Sequence, residues 1–171
     1  MKNFIKYLIC LAILLIIIVL MIGCCGVTID KVTGGGWFTD DGGVSPAPSV
    51  SSVRNTNDVK CTFGFNAQEK DNPGAEKNDR VFTGQFQFKE HTKKGVKIHL
   101  SEMIWFDGWS WDGTEATFGG TDKNGNDVEV TVIDNGEPGA NSGDWISITL
   151  YSDGVEKTWS GELEGGNIQV H

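Results

Sequence analysis

Three runs decide the fold: Ala116-Thr117-Phe118-Gly119-Gly120, Val128-Glu129-Val130-Thr131-Val132-Ile133 and Trp145-Ile146-Ser147-Ile148-Thr149-Leu150. Each carries the two-residue alternation of a strand with one buried face. Val128, Val130 and Val132 face one way. Asn124-Gly125 lies between the first two runs, a strong hairpin signal, because the tight hairpin turn needs positive φ. Between the second and third runs lies Asp134-Asn135-Gly136-Glu137-Pro138-Gly139, whose glycines and proline forbid a continuing strand.

The same pattern extends outward. Cys61, Phe63, Phe65 and Ala67 share one face of residues 59–67. Phe82, Gly84, Phe86 and Phe88 share a face of 81–89, with Gln85 and Gln87 opposite. Lys93-Lys94-Gly95 closes a hairpin into 96–100, where Val96, Ile98 and Leu100 point inward and His99 points out beside the glutamines. Residues 29–38 read as the first strand. Its Gly34-Gly35-Gly36 marks a bulge or a close backbone approach. Trp37, Trp145 and Trp159 fit inward positions. Ser152-Asp153-Gly154 turns 145–151 back into 158–163, and Ile168 and Val170 end the chain in a short strand. Residues 40–57 read as a surface loop and 69–80 as a charged turn. No stretch after residue 27 keeps a helical period over two turns. The expected fold is all-β: an antiparallel β-sandwich or flattened barrel of about nine strands, preceded by one N-terminal hydrophobic helix.

The first 27 residues are different. Lys2 and Lys6 precede 7–27, which carries no charge. As a helix this segment is about 32 Å long, enough to cross a hydrocarbon core. The lysines favour the cytoplasmic side, so 28–171 is expected as one extracytoplasmic β-domain. Residues 1–27 are then either an uncleaved signal anchor or a lipoprotein signal. Met21-Ile22-Gly23-Cys24 resembles a lipobox, in which the cysteine after a small residue is lipidated, and Cys24 is the lipidation candidate. Both readings end at the cell membrane, with the body on its outer face.

All 23 acidic residues and 12 of the 14 basic ones lie after residue 27, which leaves that part 11 negative charges in excess. This opposes a nucleic-acid partner, whose phosphates need a basic footprint. Of four cysteines, only Cys61 lies beyond the N-terminal segment, so no disulfide is expected within the domain, and Cys61 reads as a small buried hydrophobe. The three histidines, His91, His99 and His171, belong to no recognised catalytic motif. No catalytic residue is assigned.

Two clusters stand out as binding candidates. Trp105, Asp107, Trp109, Trp111 and Asp112 surround one turn, where indoles stack on sugar faces and carboxylates take hydroxyls. The alternative is that these rings cover the end of the core. Asp134, Asn135, Glu137 and Asp144, with Asn141, crowd a loop of eleven residues with the oxygen ligands calcium prefers. The alternative there is a solvated turn. Asp122-x-Asn124-x-Asn126 also offers oxygens, but Asp127 and Ile133 stand where a calcium loop needs glycine and glutamate.

Five markers, in order, carry a family resemblance: Val32-Thr33-Gly34-Gly35-Gly36-Trp37, Thr62-Phe63-Gly64-Phe65, Gly84-Gln85-Phe86-Gln87-Phe88, Asp134-Asn135-Gly136-Glu137-Pro138-Gly139 and Gly165-Gly166-Asn167-Ile168-Gln169-Val170-His171. Together they resemble the extracellular β-domain found behind choice-of-anchor domains in bacterial and archaeal surface proteins. The resemblance covers residues 32–171. It implies a surface module and carries over no catalytic residue. The domain here follows an apolar segment directly, which departs from the long-chain members. The functional expectation is a non-catalytic, membrane-anchored cell-surface interaction module. The alternative is a carbohydrate or small-ligand binding protein assisted by calcium. The partners expected are the membrane and a glycan or surface protein, with no obligatory cofactor.

Overall fold

The structure is a computed structural model that describes residues 27–28, 30–40, 59–71, 80–110 and 113–171. Residues 1–26, 29, 41–58, 72–79, Trp111 and Asp112 lie outside the described residues, and with them the expected N-terminal helix, Cys24 and nearly all of the expected 40–57 loop. The described residues form ten strands: β1 (Val27–Thr28), β2 (Lys31–Asp40), β3 (Val59–Asp71), β4 (Arg80–Glu90), β5 (Lys97–Asp107), β6 (Trp109–Ser110), β7 (Glu115–Asp122), β8 (Asp127–Ile133), β9 (Trp145–Ser152) and β10 (Val155–Val170). A single helical turn, α1 (Gly139–Ser142), lies between β8 and β9. Eight strands close into an antiparallel barrel in the order β10-β2-β3-β4-β5-β7-β8-β9, while β1 and β6 form a separate two-stranded ribbon.

Closure into a barrel settles the choice between barrel and sandwich. It also corrects the reading of the C-terminus. Residues 158–163 and 168–170 are not two strands but parts of one, β10. Its first half pairs with β9, from Val155↔Ser152 to Glu162↔Trp145. Its second half pairs with β2, from Leu163↔Phe38 to Val170↔Val32. One long strand therefore joins the two edges of the meander.

Gly34-Gly35-Gly36 causes no bulge. β2 pairs with β3 in unbroken register from Lys31↔Gln68 to Asp40↔Val59. The irregularity falls instead in β10, between Leu163 and Gly165. A methyl group on Gly36 would collide with the Gly165 carbonyl, so the close-approach reading is the correct one. Gly34 leaves room for the ring of Phe65.

Eight strands make an interior just wide enough for side chains to fill. Here a chain of aromatic rings fills it. Phe38 meets Phe63 at 6.1 Å between centroids, Phe63 meets Phe65 at 6.0 Å and Phe65 meets Phe118 at 5.2 Å. Phe86 closes on Phe118 at 6.1 Å. Val130, Val132, Ile146, Ile148 and Ile168 complete the wall. Cys61 is buried among them, and its thiol is pushed up to about 12 by burial, then by Asp40 and Glu90.

The tryptophans divide differently from expectation. Trp159 enters the core, 4.8 Å from Phe88. Trp37 faces outward and half-buried, because Val32 and Phe38 take the inward positions of β2. Its ring covers Gly165 and carries the Lys60 ammonium 3.9 Å from its centroid. Trp145 is buried but lies outside the core, since Ile146 and Ile148 hold the inward side of β9.

One mouth of the barrel is closed by charge. Glu90 follows Phe88 on the inward side of β4 and meets Lys157 of β10 at 2.9 Å. The same carboxylate accepts from the Val96 N–H and the Thr92 hydroxyl. Burial alone would raise the Glu90 carboxyl, but these donors outweigh it and hold it below the ordinary glutamate value. A depressed carboxylate stabilises the fold above its unfolded pKa and loses that contribution as pH falls through its folded value. Glu90→Gln is therefore expected to cost about 1 kcal/mol at neutral pH, the modest figure reflecting the half-exposed lysine. Urea unfolding at pH 7 and pH 3 checks this: the gap between variant and parent should shrink in acid.

Candidate functional site

The eleven-residue acidic loop is brought together, and its oxygens are turned onto β10. In the second half of β10, alternate backbone N–H groups point away from β2. Asp144 Oδ2 accepts from the Ile168 N–H at 2.8 Å, and Asp134 Oδ2 accepts from the Val170 N–H at 3.0 Å. The other oxygens tie the loop to itself: Asp144 Oδ1 to the Asn135 N–H at 2.9 Å, Asp134 Oδ1 to the Gly136 N–H at 2.8 Å. Glu137 Oε1 accepts from the side-chain amides of Asn167 and Gln169, at 2.8 and 2.7 Å. Asn135 donates to the Gly143 carbonyl, and Asn141 is exposed in α1. Among the described residues, no group of three or more His, Cys, Asp or Glu could hold a metal ion.

Burial raises the Asp144 carboxyl, with Asp134 and Glu137 adding to the rise and the two N–H bonds opposing it. Glu137 is held low by Asn167 and Gln169. Gly139 must stay glycine, because a Cβ there would strike Asp144 and Asn167. Asp122 takes a comparable role in the β7–β8 turn, where its carboxylate accepts from the Asn124 and Asn126 N–H groups at 2.8 and 2.9 Å.

Of the tryptophan cluster, Trp105 is half-buried, its ring lying over Gly119 of the neighbouring strand. Asp107 is exposed at the end of β5, opposite Thr117. Trp109 pairs with Thr28 in the β1–β6 ribbon. Its neighbours Trp111 and Asp112 are among the residues not described.

A concave surface lies elsewhere, on the outer side of β3, β4 and β5. It is a groove of about 850 Å³. Register builds it in rows: Thr62↔Lys89↔Lys97, then Gly64↔Gln87↔His99, then Asn66↔Gln85. With about 6.7 Å between rows and about 4.8 Å between strands, the floor measures about 13 Å by 10 Å. Gly64 leaves the centre bare, since a Cβ there would meet nothing within 4 Å. Lys123 approaches from the β7–β8 turn. Two edge groups are committed: Thr62 Oγ1 to His91 at 3.0 Å, and Asn66 Oδ1 to the Gln85 N–H at 2.8 Å. Among the described residues, no hydrogen bond or ion pair engages the side-chain heads of Gln85, Gln87, Lys89, Lys97 or Lys123.

Alternation in the sequence places Gln85, Gln87 and His99 on the outer face. It does not reveal that Lys89 and Lys97 stand side by side, or that Gly64 forms the floor, because those facts depend on register. No known family, curated protein or solved structure matches this chain.

Asp144→Ala leaves two N–H groups without their acceptor and is expected to cost about 2–4 kcal/mol in denaturant unfolding. A loss below about 0.5 kcal/mol would remove the loop from the closure of the barrel.

Proposed function

We propose that this chain is a non-catalytic binding module, held at the outer face of the cell membrane by its N-terminal segment, whose β3–β4–β5 groove takes an oligosaccharide. The observation that carries this is the groove itself: a floor bared by Gly64 and bordered by the unengaged amides of Gln85 and Gln87. Such amides donate and accept at once, which matches vicinal hydroxyls. The aromatic rings packed in the barrel interior support an external site. The uncharged segment behind Lys2 and Lys6 supports the membrane position, as does the resemblance to extracellular β-domains. In this reading the Asp134–Asp144 loop serves barrel closure, and calcium has no part in binding.

Gly64→Val tests the reading, because valine suits a strand and its side chain would occupy open groove. A panel of neutral and acidic oligosaccharides is titrated against parent and variant full-length chains in detergent. The parent should bind at least one member, and the variant should lose that binding with an unchanged melting temperature. Equal binding by the variant, or no binding by the parent, defeats the proposal.

A further inference from the structure

The groove is cationic on an acidic chain. Lys89, Lys97 and Lys123 line it together with His99, and no carboxylate does, although the chain holds 23 acidic residues against 14 basic. We infer that the groove selects an anionic oligosaccharide, one whose sugars carry carboxylates or sulfate esters. This rests on the reading of the groove as a glycan site and adds the charge of its ligand.

Three features point the same way. First, Lys89 and Lys97 are directly opposed across β4 and β5. Like charges in that position destabilise an empty sheet, and a bound anion reverses the sign of the interaction. Second, Lys123 adds a third lysine from the β7–β8 turn, so three elements each contribute a cation to the lining of one groove. Third, the cations sit beside hydroxyl-matching amides rather than in a uniform basic field. Lys89 and Lys97 occupy one row, and Gln87 lies in the next, about 6.7 Å along the strands. A sugar ring bearing an acid fits that pairing, its hydroxyls on the amide and its charge on the lysines. Nucleic acid fits less well. The Phe63, Phe65 and Phe88 rings are buried in the core, so they offer no platform for bases, and the net charge repels a polyphosphate.

The test is calorimetry on the full chain in detergent. The ligands are oligogalacturonate, a chondroitin sulfate oligosaccharide, a neutral galacto-oligosaccharide and single-stranded DNA. At least one acidic sugar should bind at least tenfold more tightly than the neutral one, and should weaken as salt rises from 50 to 500 mM. Binding of oligogalacturonate assigns the preference to carboxylates, which both acidic arms carry; binding of the chondroitin sulfate arm alone assigns it to the sulfate esters. Lys89→Gln/Lys97→Gln should weaken the acidic sugar roughly tenfold, as expected for losing a charge-assisted contact, and should weaken it more than the neutral sugar, so that the preference for the acidic one shrinks. Its melting temperature should be unchanged or higher, since the repulsion is gone. If the neutral sugar binds as well as the acidic ones and Gly64→Val abolishes both, the groove stands and the anionic preference is overturned. If no sugar binds, both fail. Tighter binding of DNA than of any sugar overturns the ligand class.

Discussion

Everything in this barrel depends on one strand serving two neighbours. The first half of β10 completes the ladder of β9, and its second half completes that of β2. Where it leaves β9, the outward N–H groups of Ile168 and Val170 lose their strand partner. Buried backbone donors cannot be left unmatched. Asp144 and Asp134 fill that role, and with Glu137 on Asn167 and Gln169 they make the loop a substitute for strand pairing. The concentration of oxygens between residues 134 and 144 follows from this requirement.

Closure fixes where a ligand can go. Aromatic rings occupy the lumen, and Glu90 with Lys157 stops one mouth. The acidic loop spends its carboxylates on amide donors at the other end. Polar groups with unspent capacity gather on the outer wall of β3, β4 and β5. Rigidity supports recognition there, because a groove held by continuous ladders loses little entropy when a ligand arrives. The three lysines line a groove that no carboxylate lines, on a chain of opposite overall sign.

Much of the fold was legible in the sequence. The inward faces of β3, β4, β5 and β8 follow from alternation alone, and Cys61, Phe63, Phe65, Phe86, Phe88 and Val130 lie where it puts them. The Asn124-Gly125 and Asp153-Gly154 turns were visible because their geometry demands those residues; both glycines and Asp153 have positive φ. Closure was not legible. The Gly165-Gly166 pair in β10 reads as a break, yet it is where the strand bends past Gly36. Trp37 and Trp145 depart from the inward expectation because hydrophobicity does not say which face a ring covers. Trp37 lies over Gly165 on the outside, as Trp105 lies over Gly119. The acidic loop was visible as a cluster, but its purpose was not, since the donors it serves come from residues 168 and 170. The groove escaped for the same reason: its rows are assembled from three strands, and only register aligns them.

Amide hydrogen exchange on the full chain gives the most direct test of closure by carboxylates. The Ile168 and Val170 amides should be protected to the level of Val130 and Ile148 in the centre of the sheet. If they exchange as fast as the Gly136 amide of the loop while the other strands stay protected, Asp144 and Asp134 do not hold the far end of β10, and the account of the loop as a substitute strand fails.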